Sequence, residues 1–144
     1  VRAVTPLTST TALAELVKES IPAATRRTGG NPAKRTFQAL RIFINRELED
    51  LELGLKAALR LLKPGARLAV ISFHSLEDRI VKQFLQAHSK VEVPRGLPVR
   101  EKDLPQSALE IIGRVKPSDA EISENPRARS AIMRVAEKRM GSAA

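Results

Sequence analysis

The 144-residue chain contains no cysteine, no tryptophan and no tyrosine, and only four phenylalanines. Without cysteine, disulfides, zinc–thiolate sites and thiol catalysis are excluded, and no metal site is expected. With so few rings, it offers no base-stacking platform of the kind single-strand binders use. Its core has to be built from Leu, Ile, Val and Ala. No apolar run approaches the roughly 20 residues of a membrane span, and the first residues carry no signal-peptide apolar stretch. A soluble, cytoplasmic protein without membrane contact is expected. The seven glycines never fall as G-x-G, so the loop that brings backbone close to a nucleotide-like cofactor is missing, as is its acidic ribose partner. Acidic residues are absent between Glu19 and Glu47, where Arg26, Arg27, Lys34, Arg35, Arg41 and Arg46 all fall. With a net charge of +9 and a further cluster at Arg127, Arg129 and Arg134, the balance favours a polyanionic partner, nucleic acid first.

What is present centres on Leu59 to Arg79, LRLLKPGARLAVISFHSLEDR. Lys63-Pro64-Gly65 stops a helix. Leu68-Ala69-Val70-Ile71 is a short apolar run suited to a strand covered on both faces of a parallel sheet. Ser72-Phe73-His74-Ser75 follows where ligands bind in open α/β sheets, beyond the carboxyl end of a strand. Ser75 with Asp78 predicts a capping box for the next helix, over about 76–88.

Upstream, a helix over 8–21 is expected with Thr10 as cap, then a basic loop over 23–30. Asn31-Pro32 opens a second helix, with Phe37, Leu40 and Ile44 as its buried stripe and Lys34, Gln38, Arg41 and Asn45 on the opposite face. The chain caps or kinks near Asn45. Leu48, Leu51, Leu55, Leu59 and Leu62 mark a third helix. Downstream, 91–105 reads as an irregular crossing. Ala108 to Val115 and Ser130 to Ala136 read as strands flanking a short helical turn from Pro117 to Ile122. They are expected as an antiparallel pair at the edge of a mixed sheet. The tail from Lys138 is expected to fray.

Helix, Pro-Gly turn, strand, polar loop, helix and strand pair follow the order of the second half of a doubly wound, Rossmann-like class I methyltransferase domain. The resemblance sharpens where Asn31-Pro32-Ala33-Lys34-Arg35-Thr36-Phe37-Gln38-Ala39-Leu40-Arg41, Ser72-Phe73-His74-Ser75-Leu76-Glu77-Asp78-Arg79 and Asn125-Pro126-Arg127-Ala128-Arg129-Ser130 occur together and in order. Over residues 1 to about 139 the chain resembles the bacterial small-subunit ribosomal RNA methyltransferase H family. That resemblance implies S-adenosylmethionine as cofactor and N4-methylation of a cytosine in the decoding region of 16S ribosomal RNA. It also implies an α/β domain interrupted by a helical insert, to which the first helix and part of the second belong. The division expected is 1–30 as the end of that insert with its linker, 31–139 as the C-terminal half of the α/β domain, and 140–144 as a frayed tail. The family usually has histidine where this chain has Asn31. With the glycine-rich loop and any D/N-P-P-Y/F motif absent, the chain reads as a C-terminal portion, incomplete for activity and lacking an N-terminal half.

Methylating an exocyclic amine requires an in-line, polarised nitrogen that loses a proton. His74, Glu77 and Asp78 are the residues able to accept or relay it, with His74 and Asp78 taken as the catalytic candidates. Ser72 and Ser75 can orient a base edge. Arg79, Arg127 and Arg129 offer forks to phosphate, with Ser130 beside them, and Lys34, Arg35 and Arg41 extend the RNA surface. Each has a plainer reading: Ser75 and Asp78 as caps, His74 as a satisfied loop histidine, Glu77 as a first-turn acid. Two other functions stay open. One is a non-catalytic basic module that binds RNA or ribosomal protein. The other is a subunit that self-associates through an exposed sheet edge.

Overall fold

The structure is a computed structural model and describes residues 7–22, 31–90 and 107–140. It divides into two compact units, residues 1–47 and 48–144. The basic loop, the crossing over 91–105 and the last four residues expected from the sequence lie outside the described residues.

In the first unit, α1 spans Thr10–Ser20 and α2 spans Lys34–Asn45. The cap of α1 is Ser9, not Thr10: its hydroxyl accepts from the Ala12 N–H at 3.1 Å. Asn31 acts one step before the helix proper. Its side-chain oxygen accepts from the Ala33 N–H at 2.9 Å and its carbonyl from the Lys34 N–H at 3.0 Å, so a turn leads into α2. The stripe expected on α2 is not buried. Leu40 is 40% exposed and Ile44 73%, and Phe43 beside them is 81% exposed. Periodicity specifies a face fit for burial, but it does not name the element that covers it. The helix ends at Arg46 in the left-handed conformation (φ 52°), its N–H bonded to the carbonyls of Ile42 and Phe43.

The second unit carries α3 (Glu47–Leu61) from its second residue onward, β1 (Arg67–Ser72), α4 (Ser75–Ser89), β2 (Leu109–Val115), α5 (Asp119–Glu124), a 3₁₀ turn (Pro126–Ser130) and β3 (Ile132–Lys138). The sheet order is β1-β3-β2, and β3 runs antiparallel to both neighbours. β1 and β2 are therefore parallel to each other, with β3 between them. The two late strands do pair antiparallel, as expected, but β3 occupies the middle of the described sheet, and the described neighbour of β1 is antiparallel to it.

One face of this sheet is covered. Leu55 of α3, Val81 and Leu85 of α4, Leu109 of β2 and Ala136 of β3 form the core, with Leu51, Leu59, Leu68, Val70, Ile80 and Phe84 packed against it. The core is aliphatic apart from Phe84, as the scarcity of rings requires. The other face is open among the described residues. Its rungs, read from the register, are Arg67–Glu137–Glu110, Ala69–Val135–Gly113 and Ile71–Met133–Val115. Ile71 is 56% exposed, so the expectation of a strand covered on both faces does not hold among the described residues. A four-residue apolar run suits one covered face as well as two.

Gly65 turns the chain from α3 into β1 at φ 77°, and its N–H donates to the Lys138 carbonyl at 2.7 Å. Lys138 is no frayed residue. It is 5% exposed, and its Nζ donates to the Leu59 carbonyl at 3.1 Å, a cation at the C-terminal turn of α3.

Candidate nucleic-acid interface

The carboxyl end of β1 and the start of β3 lie side by side, with Ser72 opposite Ile132. That register brings two of the three motif segments to one end of the sheet. Ser72 to Arg79 leaves β1 there, and Asn125 to Ser130 enters β3 there. The third segment, with Lys34, Arg35 and Arg41, belongs to the first unit. In that unit Arg41 is held by a carboxylate: its Nε lies 2.8 Å from Glu47 Oε1, and its Nη2 donates to Oε2 at 3.2 Å. Asn45 donates to the same carboxylate at 3.3 Å. Lys34 and Arg35 are exposed.

The start of α4 is built by a capping box, one residue earlier than expected. His74 is the cap and Glu77 its partner, in place of Ser75 and Asp78. The Glu77 N–H donates to His74 Nδ1 at 3.3 Å, and Glu77 Oε2 accepts from the N–H groups of Phe73 (2.8 Å) and His74 (3.2 Å). An imidazole nitrogen does here what a serine oxygen ordinarily does. Since Nδ1 accepts, the neutral ring carries its proton on Nε2. That atom is buried and lies 3.1 Å from Glu77 Oε1, without the alignment of a hydrogen bond. The ring thus has no free acceptor nitrogen in this arrangement. Ser72, 2% exposed, has a buried hydroxyl with no hydrogen-bond partner at the end of β1. Ser75 is exposed and is the first residue of the helix.

Asp78 faces the sheet. Arg134 of β3 donates to it through both arms of its fork, Nε to Oδ1 at 2.8 Å and Nη2 to Oδ2 at 3.0 Å. The side chains are 17% and 16% exposed. Hydrogen bonding from Arg134 outweighs the cost of burial and, with the charges of Arg134, Arg114 and Lys82, holds the Asp78 carboxyl below its usual value. The same hydrogen bond raises Arg134. Arg114 lies directly opposite Arg134 in the sheet, and like charges so placed repel. One carboxylate therefore steadies two arginines. Sequence reasoning grouped Arg134 only with the basic cluster. The signal available was its alternation with Ala136, which put a charge on the covered face and so called for a partner.

Arg79, Arg127, Arg129 and Ser130 are exposed around this end of the sheet. The 3₁₀ turn that presents Arg127 and Arg129 was not expected from the sequence. It is fixed by its own bonds: Asn125 Oδ1 accepts from the Arg127 N–H at 3.2 Å, and the Ala131 N–H donates to the Ala128 carbonyl at 2.8 Å. Ala128, 6% exposed, anchors it.

No glycine-rich loop occurs among the described residues. Gly54 lies within α3, Gly113 within β2, and Gly65 serves the turn into β1. A cavity of about 120 Å³, lined by Ile71, Val115, Lys116, Pro117, Glu121, Ala131 and Met133, lies on the open face. It is well below the roughly 300 Å³ of the smallest ordinary ligand sites. No group of His, Asp and Glu able to hold a metal occurs among the described residues, and no described helix is long and apolar enough to cross a membrane.

A layered α/β domain, with a cationic, polar surface at the carboxyl ends of its parallel strands, is the class that fold and site define. The chain belongs to the MraW methylase family, whose model matches residues 1–139, and so to a family of methyltransferases. It is 84% identical over 134 residues to the ribosomal RNA small subunit methyltransferase H of Polynucleobacter asymbioticus, across 93% of this chain and 42% of that protein. The protein of the same name from Polynucleobacter necessarius is 80% identical over 138 residues, across 96% of this chain and 43% of its own length. That of a Janthinobacterium species is 61% identical over 138 residues, across 95% and 42%. The chain thus spans about two-fifths of the length of the curated relatives it matches. That proportion gives the extent of the match and not its position, so the expectation of a C-terminal portion gains no support from it.

Proposed function

We propose that this chain is the acceptor-side part of an S-adenosylmethionine-dependent enzyme that methylates the exocyclic N4 of a cytosine in the decoding region of 16S ribosomal RNA. On this reading its sheet is the Rossmann-like class I sheet carried on by further strands. The observation that supports the proposal is the meeting of Ser72–Arg79 and Asn125–Ser130 at one sheet end, with Arg79, Arg127 and Arg129 exposed beside a buried polar loop.

On this proposal the residues have these roles. Arg79, Arg127 and Arg129 take phosphate oxygens, with Ser130 beside them, and Lys34 and Arg35 add further contacts. Arg41 contributes less, because Glu47 already holds it. A base in folded RNA has to leave its stack to be modified, at a cost of a few kcal/mol, and backbone contacts offset that cost. Ser72 and Ser75 stand closest in sequence to the base-orienting role. His74, Glu77 and Asp78 serve the reaction by holding the loop in shape. The described residues do not fit the methyl donor, which falls to sequence beyond this chain. β1 has no strand on its other edge among the described residues. That edge is where further strands would add, and a second copy pairing there is the alternative that light scattering would reveal.

The test is methyl transfer to small-subunit RNA by the longer protein that contains this chain, with Arg127→Ala/Arg129→Ala beside the parent. The expected loss is mainly in KM for RNA, with methylation still at the same cytosine amine. Unchanged kinetics in the double variant, or methylation at another atom in the parent, would reject the proposal.

A further inference from the structure

Each of the two motif segments at the sheet end is folded by its own local bonds. Glu77 ties down Phe73 and His74 within the first segment, and Asn125 and Ala128 fix the 3₁₀ turn within the second. Local bonds of this kind shape each segment but do not set the direction of α4 relative to β3. Core packing of Val81 and Leu85 against Ala136 joins the two elements, and at the first turn of α4 Arg134 grips Asp78 at 2.8 and 3.0 Å, with little solvent on either side chain. Asp78 lies between Glu77, which closes the loop, and Arg79, which is exposed. Arg134 lies four residues beyond Ser130, on the strand that leads out of the 3₁₀ turn.

From this we infer that Arg134 is a positioning residue. Through its planar fork on Asp78, it locks the first turn of α4 to β3, so that Arg79 on one segment and Arg127 and Arg129 on the other present a single, fixed set of cations to RNA. Lysine at this position would keep the charge opposite Asp78 but lose the two parallel bonds that fix an angle. The inference rests on the RNA reading above and assigns a residue that contacts no RNA itself.

The test is a double-mutant cycle on affinity for a small-subunit RNA fragment, measured on the full chain. In the parent, Arg79→Ala and Arg127→Ala are expected to be non-additive by about threefold or more, as groups binding one rigid ligand are. In the Arg134→Lys background the same two changes are expected to add to within about twofold. Equal coupling in both backgrounds, or additivity already in the parent, overturns the inference. If the parent shows no affinity for the RNA, the functional reading fails, and an RNA-free measurement decides the positioning claim. In Asp78→Asn, the backbone amide resonances of Arg127 to Ala131 are expected to shift along with those near 78 and 134. Shifts confined to the immediate neighbours of those two positions would overturn it.

Discussion

Asp78–Arg134 matters more for stability than the exposed pair Arg67–Glu137. Arg67–Glu137, at 3.0 Å, has side chains 67% and 35% exposed, and pairs in such surroundings contribute at most about 1 kcal/mol. Asp78–Arg134 is bidentate and mostly out of water, and Asp78→Ala would also leave Arg134 and Arg114 opposed. Its expected cost is about 2 kcal/mol, between the surface and fully buried cases, read as a lower midpoint in urea. The sign with pH follows from the lowered carboxyl. The folded state releases the Asp78 proton more readily than the unfolded state does. The pair's contribution is therefore complete above the usual value of 3.8 and is lost as pH falls through the folded value. Unfolding midpoints measured from pH 6 downward should fall more steeply in the parent than in Asp78→Asn. Equal acid slopes would show that the carboxyl is not held down by Arg134.

At the scale of elements, the turns decide more than the strands do. Glu77 serves three backbone N–H groups at once, two through its carboxylate and one by meeting His74 with its own N–H. Glu77→Ala is expected to cost about 1 kcal/mol and to speed amide exchange at Phe73 and His74, whereas Ser75→Ala should leave both unchanged. If Ser75→Ala had the larger effect, the cap would lie where the sequence first placed it. That misplacement has a physical cause. Ser75-x-x-Asp78 and His74-x-x-Glu77 both fit the spacing of a capping box. Serine is the commoner cap, and the pull of Arg134 on Asp78 is not visible in a linear pattern. The helices, the Pro-Gly turn and the strands were legible because periodicity and breakers are local. The place of β3 between β1 and β2 was not, since strand order depends on pairings between residues far apart in the chain, such as Ser72 with Ile132. The open face of the sheet and the uncovered stripe of α2 were illegible for the same reason.

For the whole molecule, the division of labour follows from what the chain holds. It carries an aliphatic core, one covered sheet face and a cationic sheet end. It also carries an apolar rung, Ile71–Met133–Val115, on the open face, and no glycine cradle among its described residues. The Polynucleobacter asymbioticus relative, of which 134 matched residues are 42% and which is therefore about 2.2 times as long as this chain, shares those residues at 84% identity. Calorimetry of the 144-residue chain with S-adenosylmethionine should therefore show no saturable binding in the micromolar range. Saturable micromolar binding would mean that these residues complete a cofactor site without further sequence.

The measurement closest to the central claim is the salt dependence of affinity between this chain and a decoding-region RNA fragment. If the sheet end is the RNA surface, Arg127→Ala/Arg129→Ala should weaken binding and lower the log–log salt slope by about 0.7–0.9 for each phosphate left without its arginine. Arg67→Ala, a cation change at the opposite end of the sheet, should leave the slope near the parent value. An unchanged slope in the arginine double variant, with the weakening appearing in Arg67→Ala instead, would contradict the account and place the RNA elsewhere.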